Sequence, residues 1–321
     1  MKALFFDRTG SLEVLGLRDR PVPVPSEGEV LVAIHAAGLN PSDIKNVLGV
    51  FPYTTLPRIP GRDFAGVAEK GPPHLVGRRV WGTGMPLGFT ADGAHAEYLV
   101  LAADGLALMP DCLSFEQAAS CGVPYATAWD GLVRAKAGKG TRLLVIGANG
   151  GVGHAAVALG RSLGADVLAA VRRPEQAGVL EVEGYRTALL AGPAELAGTV
   201  GACFNAAADV IFDTTGNWLA PAVSALANNG YLIVISPPSN QQVHVDFPVL
   251  DFYRRGSTLI GVNTLLHDTT ASAAMLSEFA KRFDAGLLPP PPSARAIPLS
   301  EGAEAYRLVN DGLSGKIVLT M

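Results

Sequence analysis

Leu143-Leu144-Val145-Ile146-Gly147-Ala148-Asn149-Gly150-Gly151-Val152-Gly153 is an apolar run that breaks into a cluster of glycines. Its first four residues read as a strand buried on both faces. Val152, Ala156, Leu159 and Leu163 then recur at helical spacing. Strand, glycine turn and helix in that order suit a dinucleotide. Gly150 lets the backbone approach a pyrophosphate, whose charge meets the unpaired amides of the helix start, and Gly153 lets helix and strand pack closely. Asn149, Gly150, Gly151, Val152 and Gly153 are therefore cofactor-binding candidates. Ala148 stands where the usual fingerprint has its first glycine, with Gly147 just before it. The charge-free stretch 143–160 has the length of a membrane span, but its central glycines, Asn149 and His154 would break a spanning helix.

The following strand, 166–171, indicates which dinucleotide. Nineteen residues beyond Gly153 stands Arg172, followed by Arg173. An acidic residue there would hold a ribose 2′-hydroxyl, whereas planar guanidinium groups suit a 2′-phosphate, so the expected cofactor is NADPH. Outward from this unit, strands at 187–190, 209–212, 231–235 and 258–262 alternate with helical patterns at 174–181 and 219–227. That alternation predicts a doubly wound parallel sheet, a Rossmann domain, over residues 123–261. Upstream the texture differs. Strands at 30–36, 64–68, 79–81 and 94–100 are separated by Gly and Pro turns and predict a compact β domain. Ser114 with Gln117 forms a capping box for a short helix, and a second helix is expected from Pro124 to Lys136. The tail carries helices at 270–283 and 301–309 and a last strand at 316–320. It has too little apolar surface to stand alone, so the β domain should comprise residues 1–122 and 262–321.

Composition narrows the function classes. The 321 residues are 49% hydrophobic and 17% charged, with 37 Gly and 23 Pro, as an α/β protein with covered strands requires. The net charge of −4 and the scattered basic residues argue against a nucleic-acid surface. Three separated cysteines, Cys112, Cys121 and Cys203, form no C-x-x-C, so neither a disulfide framework nor a thiolate zinc knuckle is expected. The opening residues, charged by Lys2, Asp7 and Arg8, lack the apolar core of a signal peptide, and no membrane partner is expected; the expected location is cytoplasmic.

Several further pieces, in order, carry a family resemblance: Ala36-Ala37-Gly38-Leu39-Asn40-Pro41-Ser42-Asp43, Pro60-Gly61-Arg62-Asp63-Phe64-Ala65-Gly66, Gly93-Ala94-His95-Ala96-Glu97-Tyr98, the 148–153 turn, and Gly315-Lys316-Ile317-Val318-Leu319. Together they resemble the zinc-independent quinone oxidoreductase (zeta-crystallin-like) branch of the medium-chain dehydrogenase/reductase superfamily. The resemblance implies a GroES-like β-barrel catalytic domain beside the Rossmann domain. It also implies a homodimer joined through the strand at 258–262. Zinc enzymes of the superfamily place a Cys ligand just before the Asp of the first piece and a His-Glu pair in the second. Here those places hold Asn40-Pro41-Ser42 and Arg62-Asp63, and no metal site is expected.

By the same resemblance Asn40 should lie near the nicotinamide ribose and Thr127 near the phosphates. Thr214, Ile235, Ser236, Val262 and Asn263 fall at strand ends where open sheets bind ligands, and Lys316 closes over the cofactor. Tyr53 resembles a substrate-pocket tyrosine that orients a carbonyl or donates a proton. The implied reaction moves a hydride to a quinone or α,β-unsaturated carbonyl compound, which needs no Lewis acid. Two alternatives stay open: an enoyl-thioester (enoyl-CoA) reductase, and an NADPH-binding protein without turnover.

Overall fold

The computed structural model describes residues 1–238, 244–313 and 315–321. Two compact units emerge, one formed by Met1–Ala126 with Thr264–Met321 and the other by Thr127–Asn263. Among the described residues no helix is long and apolar enough to cross a membrane.

The first unit opens with an antiparallel pair, β1 (Lys2–Phe5) and β2 (Gly16–Asp19). The long strand β3 (Glu29–Leu39) leads into helix α1 (Pro41–Val47), then β4 (Asp63–Lys70), β5 (Arg79–Gly82), β6 (Tyr98–Ala102), β7 (Ala107–Leu108) and helix α2 (Phe115–Arg134), whose residues from Thr127 on are counted in the second unit. Val30, Val32 and Ile34 of β3 share one core with Phe64, Ala68, Val80, Leu99 and Leu101. Alternate residues of a strand face one side, which is why this set is spaced by two.

The second unit continues with β8 (Arg142–Ile146), α3 (Gly151–Ser162), β9 (Asp166–Val171), α4 (Pro174–Val182), β10 (Thr187–Leu189), α5 (Leu196–Phe204), β11 (Ala208–Asp213), α6 (Leu219–Ala225), β12 (Leu226–Val234), α7 (Val249–Arg254) and β13 (Thr258–Gly261). The six strands lie in the order β10-β9-β8-β11-β12-β13, and every pair is parallel. Numbered along this unit the order is 3-2-1-4-5-6, the doubly wound Rossmann arrangement. The order reverses between β8 and β11, and β13 is an edge. Leu144, Ile146, Leu168, Ile211 and Leu232 form its core with Trp218 and Leu226.

The chain then returns to the first unit with α8 (Thr269–Asp284), β14 (Arg295–Pro298), α9 (Gly302–Asn310) and β15 (Ile317–Thr320). Seven strands make its larger sheet: β14-β15-β3-β4-β5-β7, with β6 also on β3. One edge of β3 is shared by β6 along residues 29–33 and by β15 along residues 36–39, so the last strand closes the row beside the third. Ile297, Tyr306, Ile317 and Leu319 of the tail pack with Leu4, Phe6, Leu39 and Ile44.

Three expected elements change, one of them the helix expected over 219–227, which ends at Ala225 because Leu226 already pairs with Ala208 as the start of β12. The strand expected over 94–100 begins only at Tyr98, because the amides of Gly93, Ala94 and His95 donate to the carbonyls of Ile59, Gly61 and Pro60. The two helices expected around Ser114 and Pro124 are one helix, α2, with Pro124 inside it. Its capping box forms: Ser114 N donates to Gln117 Oε1 at 3.0 Å, and Gln117 N donates to Ser114 Oγ at 3.2 Å.

Candidate functional site

In the Rossmann unit the glycine turn follows β8. The amides of Gly147 and Ala148 both donate to Ala170 O, at 3.0 and 3.2 Å, which pins the turn to β9. Gly147 sits at φ +77°, and a Cβ on the buried Gly153 would collide with Gly147 O. Both positions thus need glycine, Gly147 for its left-handed backbone and Gly153 for the close approach of helix and strand. Gly150, the N-cap of α3, has no side chain to accept from the first-turn amides. The amides of Gly151, Val152 and Gly153 open the helix at the positive end of its dipole, without a side-chain cap.

At the order reversal, Thr214 ties two strand ends together, its Oγ1 donating to Ile146 O at 2.8 Å, while Ser236 Oγ donates to Thr214 O at 3.3 Å. Asp213 is fully buried and accepts from Thr215 N, Thr215 Oγ1, Gly216 N and Trp218 N at 2.8–3.1 Å, so it organises the loop below Thr214. Ile235 and Ser236 follow β12, and Val262 and Asn263 follow β13, Val262 N donating to Val234 O at 3.0 Å. Arg172 and Arg173 follow β9 and are exposed. Among the described residues neither guanidinium has a hydrogen-bond or ion-pair partner. Thr127 lies buried on α2.

Asn40, Tyr53 and Lys316 belong to the first unit. Asn40 and Lys316 meet there: Lys316 Nζ donates to Asn40 Oδ1 at 2.7 Å. Asn40 Nδ2 in turn donates to Asp63 Oδ2 at 2.8 Å, and Asn40 N to Asp43 Oδ2 at 2.8 Å. The fully buried Asp63 also accepts from Thr83 Oγ1 at 2.6 Å and Val123 N at 2.9 Å, and faces Lys316 Nζ at 3.6 Å. Burial lowers the Lys316 ammonium from its usual range, with the nearby carboxylates opposing. Asp43 is pushed up to about 6, mainly by burial and further by Asp63, against Arg62 and Lys316. Tyr53 is 43% exposed and packs its ring 5.7 Å from Phe51 and 5.8 Å from Phe89. Partial burial raises its hydroxyl above the usual tyrosine value.

In the sequence Arg62 and Asp63 stand within a piece of the family resemblance, where zinc enzymes have a His-Glu pair. The structure makes Asp63 the centre of a buried polar group and buries Arg62, which bonds Ser42. The available signal was a charged pair inside the Gly-rich apolar stretch 60–66, where burial of a charge is costly and points to a local role. As metal donors the set is poor: Asn40, Ser42 and Arg62 stand beside an ammonium. Among the described residues no three His, Cys, Asp or Glu side chains come together in a way that would hold a metal ion.

Residues 26–111 match the alcohol dehydrogenase GroES-like domain, and residues 151–280 match the family described as zinc-binding dehydrogenase. The chain is 36% identical to a zinc-type alcohol dehydrogenase-like protein of Schizosaccharomyces pombe, covering 100% of this chain and 97% of the relative. It is 30% identical to the quinone oxidoreductase of Homo sapiens, covering 100% and 98%. Among solved structures, the quinone oxidoreductase of Thermus thermophilus, also described in complex with NADPH, superposes with a TM-score of 0.83 at 30% identity over 100% of both chains. An NAD-dependent alcohol dehydrogenase gives 0.89 at 27% identity, again over 100% of both. With the 3-2-1-4-5-6 sheet and its glycine turn, these likenesses show that the chain belongs to the medium-chain dehydrogenase/reductase superfamily, in its zeta-crystallin-like quinone oxidoreductase branch, and is an oxidoreductase that works with a nicotinamide cofactor.

Proposed function

We propose that this chain is an NADPH-dependent reductase of quinones or α,β-unsaturated carbonyl compounds and works without zinc. The observation that carries the reading is the exposed, partnerless pair Arg172 and Arg173 at the end of β9, beside the glycine turn. Two guanidinium groups there suit a 2′-phosphate and leave no acceptor for a 2′-hydroxyl. The names of the quinone oxidoreductase relatives support the substrate class. So does a 2-methylene-furan-3-one reductase of Solanum lycopersicum, 37% identical over 53% of this chain.

The cofactor supplies, when bound, a hydride for an electron-poor carbon. The amides of Gly151, Val152 and Gly153 hold its pyrophosphate, with Asn149 and Gly150 in the same turn. Thr127, Thr214, Ile235, Ser236, Val262 and Asn263 line its path, and Asn40 and Lys316 serve the nicotinamide ribose. As the substrate carbon gains hydride, its conjugated oxygen takes the negative charge. Tyr53, protonated at neutral pH, or solvent returns one proton. The balance is one NADPH and one proton consumed per two-electron reduction. Metal assistance has no place in this scheme, because cations already occupy the polar cluster.

The test follows NADPH absorbance with an ortho-quinone, a simple enone and an enoyl-CoA in parallel. Turnover of the first two is expected, with less than about one-tenth equivalent of zinc per chain, a bound set by the donor chemistry. The double change Arg172→Ala and Arg173→Ala should raise KM for NADPH about 10- to 100-fold and leave NADH almost unaffected. A preference for enoyl-CoA would instead favour the thioester reading. Tight NADPH binding with no turnover would favour a binding protein, and equal use of NADH would remove the role of the arginine pair.

A further inference from the structure

Arg62 is only 1% exposed, yet one of its three guanidinium nitrogens has an acceptor: Nη2 donates to Ser42 Oγ at 2.6 Å. Nε and Nη1 are buried with none. Arginine cannot shed its proton to escape such a position, and a buried charge without hydrogen-bond partners is costly. Asp63, next in sequence, gathers three hydrogen bonds and an ammonium. Among the described residues no carboxylate comes within ion-pair distance of Arg62. The fold therefore holds a dry cation with spare donors beside a fully satisfied network.

The surroundings suggest what answers those donors. The guanidinium lies 5.5 Å from the ring centroid of Phe89, which contacts Phe51 at 5.4 Å and Tyr53 at 5.8 Å. Tyr53 is half-exposed, so this aromatic group reaches the surface. The charge of Arg62 is felt at the Tyr53 hydroxyl, where it opposes the effect of burial. Aromatic faces accept flat, conjugated molecules, and a fixed buried cation favours an oxygen that gains negative charge.

We propose that an unanswered N–H of Arg62 receives the carbonyl oxygen of a planar, conjugated substrate lying against Phe51 and Tyr53, with the buried Phe89 ring behind them, and stabilises the negative charge that oxygen acquires. The inference rests on the reductase reading and adds to it the group that binds the reacting oxygen. When hydride reaches the ring or β-carbon, the π electrons move onto oxygen. The resulting enolate is held by Arg62 until one proton from Tyr53 or solvent neutralises it: at the α-carbon it gives the ketone, and on a quinone ring, shift of the added C–H proton to the second oxygen then gives the hydroquinone. Ser42 and the Phe89 ring act as positioning residues, fixing the plane of the guanidinium.

The probe is 4-nitrophenol, which resembles the anionic product and reports its own ionisation by visible absorbance. With the full chain and NADP+, it should bind as the phenolate, ionise at lower pH than in buffer and compete with the ortho-quinone. Arg62→Met should abolish that shift and lower kcat/KM for the quinone about 100-fold, with affinity for NADPH unchanged. Arg62→Lys, which keeps the charge but not the planar donor set, should lose about 10-fold and keep part of the shift. It carries the test alone if Arg62→Met does not fold. Unchanged kcat/KM in either variant, or an unshifted phenol in the wild type, would overturn the proposal. If the wild type reduced no quinone or enone yet still shifted the phenol through Arg62, the reductase reading would fail and the anion site would stand.

Discussion

His95 shows how one buried residue can set a pH response. It is wholly buried, with Nδ1 2.8 Å from Tyr306 Oη and Nε2 3.3 Å from Gly38 O. A carbonyl can only accept, so Nε2 carries the proton and Nδ1 accepts from the tyrosine hydroxyl; the neutral ring is satisfied at both ends. Burial lowers its pKa to about 4. A depressed pKa stabilises the fold above the ordinary value of 6.5 and loses that contribution as pH falls through about 4. Asp43 works the other way. Raised to about 6, it adds stability below the ordinary carboxylate value of 3.8 and loses it as pH rises through about 6. Between about pH 6 and 4.5 the two oppose each other. On going from about pH 7 to 4.5, His95→Gln should therefore lose about 2 kcal/mol less than the wild type, and Asp43→Asn about 2 kcal/mol more. Urea unfolding at the two pH values reads both, and parallel losses in all three proteins would refute the assignment.

Helix α2 is held through its proline by a carboxylate from a distant strand. Pro124 has no N–H and crowds the carbonyl four residues back, which ordinarily breaks a helix. Here Val123 N, just before the proline, donates to Asp63 Oδ1 at 2.9 Å, so the helix is tied at this point to a side chain outside it. A Cβ on Gly122 would collide with Asp63 Oδ1. Gly122→Ala should thus displace the carboxylate from Val123, Thr83 and Asn40 and cost about 3 kcal/mol. Gly178→Ala in α4, whose Cβ would meet open space, should stabilise by roughly 0.5–1 kcal/mol. Thermal melts that move in the same direction for both would sink this account of α2. The pair also marks what sequence can show. The alternation from β8 to β13 is legible because strand and helix periods are local. The continuity of α2 is not, because it depends on Asp63, some sixty residues upstream. α5 is hidden for another reason: Leu196–Phe204 has no charged face and so no helical pattern to read. The site divides likewise. The glycine turn is local and can be read directly, whereas the cluster of Asn40, Asp63 and Lys316 joins residues up to 276 positions apart.

At the scale of the whole molecule, assembly turns on the edge of the Rossmann sheet. β13 pairs with β12 on one side only, and Leu259 on it is 44% exposed. In the same unit, Val249, Leu250 and Tyr253 of α7 are 65%, 54% and 63% exposed. A bare strand edge presents unpaired N–H and C=O groups and invites another strand, so proteins shield such edges with charge, proline or a partner. Thr258–Gly261 carries neither charge nor proline. A second copy offering its own β13 would pair the two edges by two-fold symmetry and cover the leucines. The chain should accordingly sediment as a homodimer at micromolar concentration. Leu259→Lys, which places two ammonium groups at the symmetric edge, should weaken the dimer at least about 10-fold while leaving NADPH binding and the melting of the monomer intact, since like charges brought together cost on the order of 1.4 kcal/mol or more. A wild-type chain that stays monomeric at every concentration would show that the β13 edge needs no partner.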